Sequence, residues 1–432
     1  MHFGTNGVRG LFHELSPETA LRISQGIGKY LKGTVIVARD CRLTGASLKA
    51  AVVAGLTSAG CDVIDLGIAS SPTAEYMIKK LNANGCVIVS ASHNPPEWNA
   101  IKVVDGKGIS VSRERGREIE KLMDGKPVEW NKAGHVTVYG NAVLEHVNAI
   151  KKLVGPVKRK KIVLDCGNGT ACVIAPKLFK ELGVEVMSLN SHLDGRFPGR
   201  ASEPSEENVK ELIAAVKSFK ADAGIAWDAD GDRVIFVDEK GSYVIGDRVY
   251  ALSILWNDRK GDIITTAATS KAVEDVAAKK GAKTRYTAIG APYICEEMVK
   301  NPAAMGGEEV GGVIWPQLSL AKDGFMTGAM LAKALGEKPL SAWLGEIPAY
   351  YNVKEKIKAD EKKKNEIVAK ALEYAKKNKL DYSDVDGVRI NFDESWIIIR
   401  PSGTENYVRI FAEAKTLEKA KELVGQYKKI IL

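Results

Sequence analysis

Three times along this chain, short β-branched runs alternate with helical stretches, and this repetition constrains the fold more than any other feature. From Thr34 the strand-like runs are Val35 to Ala38, Asp62 to Leu66 and Cys86 to Ser90, separated by helical stretches beginning near Ala46 and Pro72. Such alternation generates a parallel sheet covered by helices. Ser16-Pro17 reads as the N-cap and first position of an earlier helix, whose apolar face is Ile23, Ile27, Tyr30 and Leu31 and which Gly33 closes. The pattern restarts at Lys161: KIVLDC, a helix to Leu182, VEVMSL, a helix from Glu207 to Lys220, then AGIAWD. It restarts again after Gly246: DIITTA, a helix from Lys271 to Lys280, TRYTAI, a helix from Pro292 to Lys300, then AAMGG. The last part differs. A lysine-rich helical segment leads to VRINF, WIIIRPSG and YVRIFAEA, followed by a helix from Leu417 to Ile430. Consecutive strands with short connections predict an antiparallel sheet. The expectation is an α/β protein of three related α/β domains and a C-terminal α+β domain, bounded at 1–140, 141–243, 244–348 and 349–432. A length of 432 residues suits that division, since domains usually span about 100–200 residues.

Composition narrows the class. At 45% hydrophobic and 27% charged residues, the balance is that of an ordinary globular protein. No apolar run is long enough to span a membrane, and MHFGTNGVRG lacks the basic head and apolar stretch of a secretory signal, so a cytoplasmic address is expected. The six cysteines form no C-x-x-C pair and no zinc-spaced cluster, so they are read as buried thiols. The net charge of +8 comes from lysines interleaved with glutamates, as from Glu361 to Lys379, which reads as a solvated helix face. Nucleic acid is not an expected partner; a modest positive field favours an anionic substrate.

Four segments carry chemistry. Ser90-Ala91-Ser92-His93-Asn94-Pro95-Pro96 follows a strand, where loops of a parallel sheet meet ligands. Ser92 there can act as a nucleophile, with His93 beside it and Lys102 supplying a cation, although an ordinary Asn-Pro turn reads the same way. Asp228-Ala229-Asp230-Gly231-Asp232-Arg233 places three carboxylates at alternate positions, able to converge on a hard cation such as Mg²⁺. An EF-hand is the rival, with Glu239 at its twelfth position, but Arg233 replaces the required glycine and a strand-like VIFV follows; an acidic surface turn is the plainer alternative. Gly306-Gly307-Glu308-Glu309-Val310-Gly311-Gly312 offers a carboxylate for sugar hydroxyls within a glycine-rich turn, or simply a hairpin turn. Arg400-Pro401-Ser402-Gly403-Thr404-Glu405-Asn406, with Arg409 beyond, suits a phosphate cradle or a structural turn. It has no Walker lysine.

Together with Phe3-Gly4-Thr5-Asn6-Gly7-Val8-Arg9-Gly10 and Arg39-Asp40-Cys41-Arg42, these segments resemble the α-D-phosphohexomutases in order and approximate spacing along the whole chain. The resemblance implies three related α/β domains with mixed sheets and a smaller fourth domain around a central cleft. It implies a phosphoserine at Ser92, and Mg²⁺ held by Asp228, Asp230, Asp232 and a phosphoserine oxygen. Arg9, His93, Lys102 and Arg233 are expected around the transferring phosphate, with Lys102 a candidate proton shuttle. Glu308 is expected on the sugar hydroxyls, and Arg400, Ser402, Gly403, Thr404 and Arg409 on the other phosphate. The implied reaction interconverts hexose 6-phosphate and hexose 1-phosphate through a 1,6-bisphosphate, which also serves as activator; a homodimer is compatible with it. Two departures touch the sugar. Many similar proteins carry serine and histidine where this chain has Val310 and Gly312, and Thr287-Ala288-Ile289-Gly290-Ala291 lacks the usual polar residue after its glycine.

Among sugars, glucosamine phosphate is expected first, then mannose and glucose phosphates. Three competing readings remain at this point: a metal-dependent sugar-phosphate phosphatase, a catalytically silent metal-binding relative, and a dinucleotide-binding oxidoreductase. The last is prompted by Gly167-Asn168-Gly169, although Cys172 stands where a third glycine is required.

Overall fold

Ser16 caps the first helix as its sequence predicts, accepting a hydrogen bond from the Thr19 N–H ahead of Pro17–Leu31. The computed structural model describes residues 3–4, 6–402 and 406–432. In the first unit, strands Thr34–Arg39, Asp62–Ile68 and Gly85–Val89 pair in parallel, with helices Gly45–Ser58 and Ser71–Lys80 between them in sequence. Two strands not foreseen complete the ligand side of this sheet. Trp98–Asp105 runs antiparallel to Gly85–Val89, and Val8–Leu11 runs antiparallel to Trp98–Asp105.

The second and third units repeat the device. Parallel strands Glu185–Leu189, Lys161–Asp165 and Ala223–Trp227 are followed by antiparallel Val234–Asp238. Parallel strands Thr284–Thr287, Ile263–Thr266 and Met305–Gly307 are followed by antiparallel Val313–Ile314. The sheets are therefore mixed, and each chemical segment is the loop at which a parallel strand doubles back: 90–97, 228–233 and 308–312. Val234–Asp238 after the aspartates is a strand, unlike the second helix of an EF-hand; Glu239 instead receives the Ser341 hydroxyl and N–H.

The second and third units share one apolar core. Helix Gly324–Ala334, which follows the third sheet, buries Phe325 against Trp227 of the second, with ring centroids 5.6 Å apart. The fourth unit is an antiparallel five-stranded sheet, two strands larger than the sequence suggested: Tyr351–Lys358 and Tyr382–Ser383 extend it at the two edges. Its core is its own, packed under helices Glu361–Lys377 and Leu417–Ile431. Five cysteines are buried thiols as expected, whereas Cys172 is only half-buried. Among the described residues no helix is long and apolar enough to cross a membrane.

Candidate active site

The 90–97 loop is held from beneath by an arginine. Arg42 donates to the carbonyls of Ser92, Asn94, Pro95 and Trp98 at 2.9, 2.7, 2.5 and 3.0 Å. A guanidinium can bridge several acceptors at once because its donors form a fixed planar fork. Asp40 orients it, receiving the Arg42 Nε at 3.0 Å and the Ser90 hydroxyl at 2.7 Å. Ser202 adds bonds to the carbonyls of His93 and Asn94, both at 2.8 Å. Thus clamped, Ser92 adopts φ 52°, a left-handed conformation that costs a non-glycine residue about 1 kcal/mol.

Its hydroxyl donates to Asp228 Oδ2 at 2.6 Å and accepts from Arg233 Nη2 at 3.2 Å, with His93 Nδ1 at 3.4 Å. The aspartate loop reaches Ser92 through a tight turn. Gly231 has φ +76°, and a Cβ there would come within 2.5 Å of the Phe325 ring. Asp228, Asp230 and Asp232 each bring a carboxylate oxygen within 4.8 Å of the others, and all three are buried. Asp230 Oδ2 receives Lys102 and, at 2.5 Å, the Ser71 hydroxyl. Asp232 Oδ2 lies 3.7 Å from Lys102 and 3.4 Å from Lys322.

Two oxygens of this cluster, Asp230 Oδ1 and Asp232 Oδ1, are buried without a hydrogen-bond partner. Asp232 Oδ1 has the Arg233 Nε only at 3.7 Å, and buried carboxylate oxygens left without a hydrogen bond are costly unless something binds them. Their hard oxygen character and spacing fit Mg²⁺. Burial, reinforced by Asp230 and Asp232, raises the Asp228 carboxyl to about 7 against the pull of Arg233. Asp230 and Asp232 are instead held below the usual carboxylate range: burial, the largest single influence, works against this, but the surrounding donors and cations together outweigh it, Lys102 contributing most for the former and Lys322 for the latter. Burial lowers Lys102, yet Asp230 and Asp232 outweigh it, so its pKa lies above the ordinary lysine value. His93 is pushed down to about 3 by burial and then by Arg233 and Arg9, leaving a neutral imidazole.

Arg9, on strand Val8–Leu11, joins the serine loop through Asn94 Oδ1 at 2.6 Å. Glu308 lies in the third unit's turn, nearly buried, and receives Lys322 at 3.0 Å. Its neighbour Glu309 turns away to Thr266 Oγ1 at 3.0 Å, while Val310 is exposed. In the fourth unit, Arg400 and Arg409 stand directly opposite each other in the ladder. Like charges so placed repel unless an anion sits near. Asp386 supplies one to Arg400, at 3.1 and 3.0 Å, and accepts the Ile289 N–H of the third unit at 2.9 Å. Ser402 is buried, its carbonyl receiving Lys364 at 3.0 Å. Gly403 and Thr404 lie outside the described residues.

The structure thus brings Ser92, the three aspartates, Arg9, His93, Lys102 and Arg233 together, with Glu308 joined to them through Lys322. The sequence reading gave no role to Arg42, Ser71, Ser202, Lys322 or Asp386. Two of them carried a signal: Arg42 within the Arg39-Asp40-Cys41-Arg42 segment, and Lys322 as a cation set before the Asp323 helix cap.

Sequence models of four families match in succession: Phosphoglucomutase/phosphomannomutase alpha/beta/alpha domain I at residues 1–128, domain II at 138–241, domain III at 245–351 and the C-terminal domain at 352–429. A phosphoglucomutase/phosphomannomutase of Thermococcus kodakarensis is 40% identical, the match covering 97% of this chain and 96% of that protein. A probable phosphoglucosamine mutase of Methanopyrus kandleri is 38% identical over 100% and 97% of the two chains. The crystal structure of a phosphoglucomutase/phosphomannomutase family protein from Burkholderia thailandensis superposes with a TM-score of 0.89 at 25% identity, covering 99% of this chain and 96% of that one. Matched from its first α/β unit to its C-terminal sheet, this chain belongs to the phosphoglucomutase/phosphomannomutase family of phosphohexomutases.

Proposed function

We propose that the enzyme moves a phosphoryl group between the 1- and 6-oxygens of a hexose through phospho-Ser92. The observation that carries this reading is the Ser92 hydroxyl, set 2.6 Å from Asp228 and 3.2 Å from Arg233 beside two orphaned carboxylate oxygens. In the first half-reaction the P–Oγ bond of phospho-Ser92 breaks as a sugar hydroxyl oxygen bonds to phosphorus, giving the 1,6-bisphosphate. Over the step the hydroxyl proton passes to the departing Ser92 Oγ, with Lys102 the candidate proton shuttle. In the second half, the turned sugar presents its other phosphate: the bond from that phosphorus to the sugar oxygen breaks as Ser92 Oγ bonds to phosphorus, the serine proton passes to the sugar oxygen, and the monophosphate departs.

Arg233, Lys102 and Arg9 stabilise charge on the phosphoryl oxygens, the dominant requirement of a loose phosphoryl-transfer transition state. Asp228, Asp230, Asp232 and a phosphoserine oxygen would hold Mg²⁺, which supplies further neutralisation of that charge. The opposed Arg400 and Arg409 would hold the phosphate that is not being transferred, and Glu308 the ring hydroxyls. A hexose 1,6-bisphosphate would recharge Ser92 whenever the phosphate is lost.

The Asn6-Gly7-Val8-Arg9-Gly10 and Glu309-Val310-Gly311-Gly312 segments resemble both phosphoglucosamine mutases and the dual phosphomannose/phosphoglucose enzymes; glucosamine phosphate is our preferred sugar by a narrow margin, with relatives such as that of Methanopyrus kandleri in support. Mannose and glucose phosphates come second, favoured by the relative at 40% identity. Phosphorylated hexoses as substrates agree with a cytoplasmic address. The test is a coupled mutase assay with Mg²⁺ and a trace of bisphosphate, offering the three sugars separately while free phosphate is monitored. Isomerisation without phosphate release is expected; release without isomerisation would make the protein a phosphatase.

A further inference from the structure

Lys322 is fixed on both sides of its backbone. It forms a β-bridge with Ile314, and the following residue, Asp323, donates its N–H to the Val313 carbonyl at 2.8 Å. Asp323 also caps helix Gly324–Ala334, with Oδ1 accepting the N–H groups of Phe325 and Met326 at 2.9 Å, while Oδ2 meets buried His146 at 2.8 Å. So anchored, Lys322 sends its side chain across the turn that carries Glu308. The stem covers Gly312 so closely that a Cβ at that position would lie 2.4 Å from Lys322 Cδ. The absence of a side chain at 312 and the presence of lysine at 322 are thus one arrangement: the lysine occupies the space that any larger residue at 312 would need.

The ammonium lies 3.0 Å from Glu308 Oε2 and 3.4 Å from Asp232 Oδ2, with the side chain 13% exposed. An ammonium has three N–H donors, and these two carboxylates engage at most two of them. Glu308 can only accept and Lys322 can only donate. A ligand group that satisfies both must donate and accept at once, which a hydroxyl does and a protonated amine does not.

We propose that Lys322 is a substrate-positioning residue that fixes the Glu308 carboxylate and, with it, selects a hydroxyl on the hexose phosphate, linking that contact to the Asp232 end of the metal loop. The proposal rests on Glu308 being the sugar contact. Lysine at 322 does the work of a polar side chain at 312 from the opposite wall of the turn.

The test is calorimetric titration of glucosamine 6-phosphate, glucose 6-phosphate and inorganic phosphate, each separately, into Ser92→Ala enzyme, which does not turn over. Lys322→Met and Gly312→Ala are introduced into this background. Lys322→Met is expected to weaken hexose phosphate binding about tenfold or more while changing inorganic phosphate binding by less than about twofold. Gly312→Ala keeps every charge, displaces the lysine stem and is expected to give an intermediate loss. In the Ser92 enzyme Gly312→Ala, which keeps every charge, is expected mainly to raise KM, whereas Lys322→Met also removes the cation facing Asp232 and is expected to raise KM and lower kcat together. Unchanged sugar binding in Lys322→Met, or an equal loss of inorganic phosphate, would overturn the proposal while leaving the mutase reading intact. A parent that binds neither sugar and fails the mutase assay would overturn both.

Discussion

The site around Ser92 and the fourth unit differ in how their parts are fastened to the rest of the chain. Around Ser92 the loops are closely tied: Arg42 bonds four carbonyls, Asp230 Oδ2 receives Lys102 and Ser71, and the second and third units share one core. The fourth unit has a separate core and meets the others through a small patch of Ala267, Trp396 and Ile398 and a few polar bonds. Those bonds include Arg389 to the Ala267 carbonyl at 2.7 Å, Lys271 N–H to Glu413 at 2.7 Å, and the Asp386 link to Ile289. The contrast matches the labour of the reaction. Phosphoryl transfer needs preorganised charge, whereas a cradle of the kind proposed for the fourth unit, taking either phosphate of a turning sugar, would need less exact placement. Elements with few buried apolar contacts are also those that open most easily.

The comparison can be broken at several points. Ser92→Ala should abolish turnover, by at least about 10⁴-fold, while sugar-phosphate binding survives; retained turnover contradicts the role given to the Ser92 site. Asp230→Asn keeps the shape but removes a charge shared by Lys102 and the metal loop. Its kcat/KM should fall about 10²–10³-fold, with a weakened response to added Mg²⁺. Asp386→Ala frees Arg400 and cuts the link to Ile289, so KM should change by about threefold to tenfold with kcat nearly constant. A large loss of kcat there would mean the fourth unit takes part in the chemical step.

The smallest effect concerns Glu75, on helix Ser71–Lys80 of the first unit. Burial raises it to about 8 from an ordinary value near 4.5, Lys102 opposing. Between those values the folded chain holds a proton that the unfolded chain has released, so this group's contribution to stability falls as pH rises through about 4.5 to 8. Glu75→Gln should flatten the decline of Tm over that window by a few degrees. An unchanged slope would show that Glu75 ionises freely.

Much of this was legible in the sequence because strand-and-turn chemistry is local. The β-branched runs marked the parallel strands, and Ser92, the three aspartates and Glu308 lay in segments whose residue types singled them out as candidates, each beside the plainer reading of a turn. What escaped depends on partners distant in sequence. Val8–Leu11 and Trp98–Asp105 lack a clean alternation and become strands by pairing with each other and with Gly85–Val89. Arg42 lies 50 residues before the Ser92 carbonyl it clamps, and Lys322 lies 14 residues beyond Glu308. Tyr351–Lys358 alternates as a strand should, but its lysines disguised an edge as a helical lead-in.

The most direct test of the central claim follows the phosphoryl group itself. Enzyme charged with hexose 1,6-bisphosphate is digested and its peptides are weighed, then the charged enzyme is mixed with one equivalent of hexose monophosphate and weighed again. A phosphate on the Ser92 peptide that disappears as bisphosphate forms, without free phosphate, is the predicted result. Phosphate absent from Ser92, or lost from it only to water, would contradict the account.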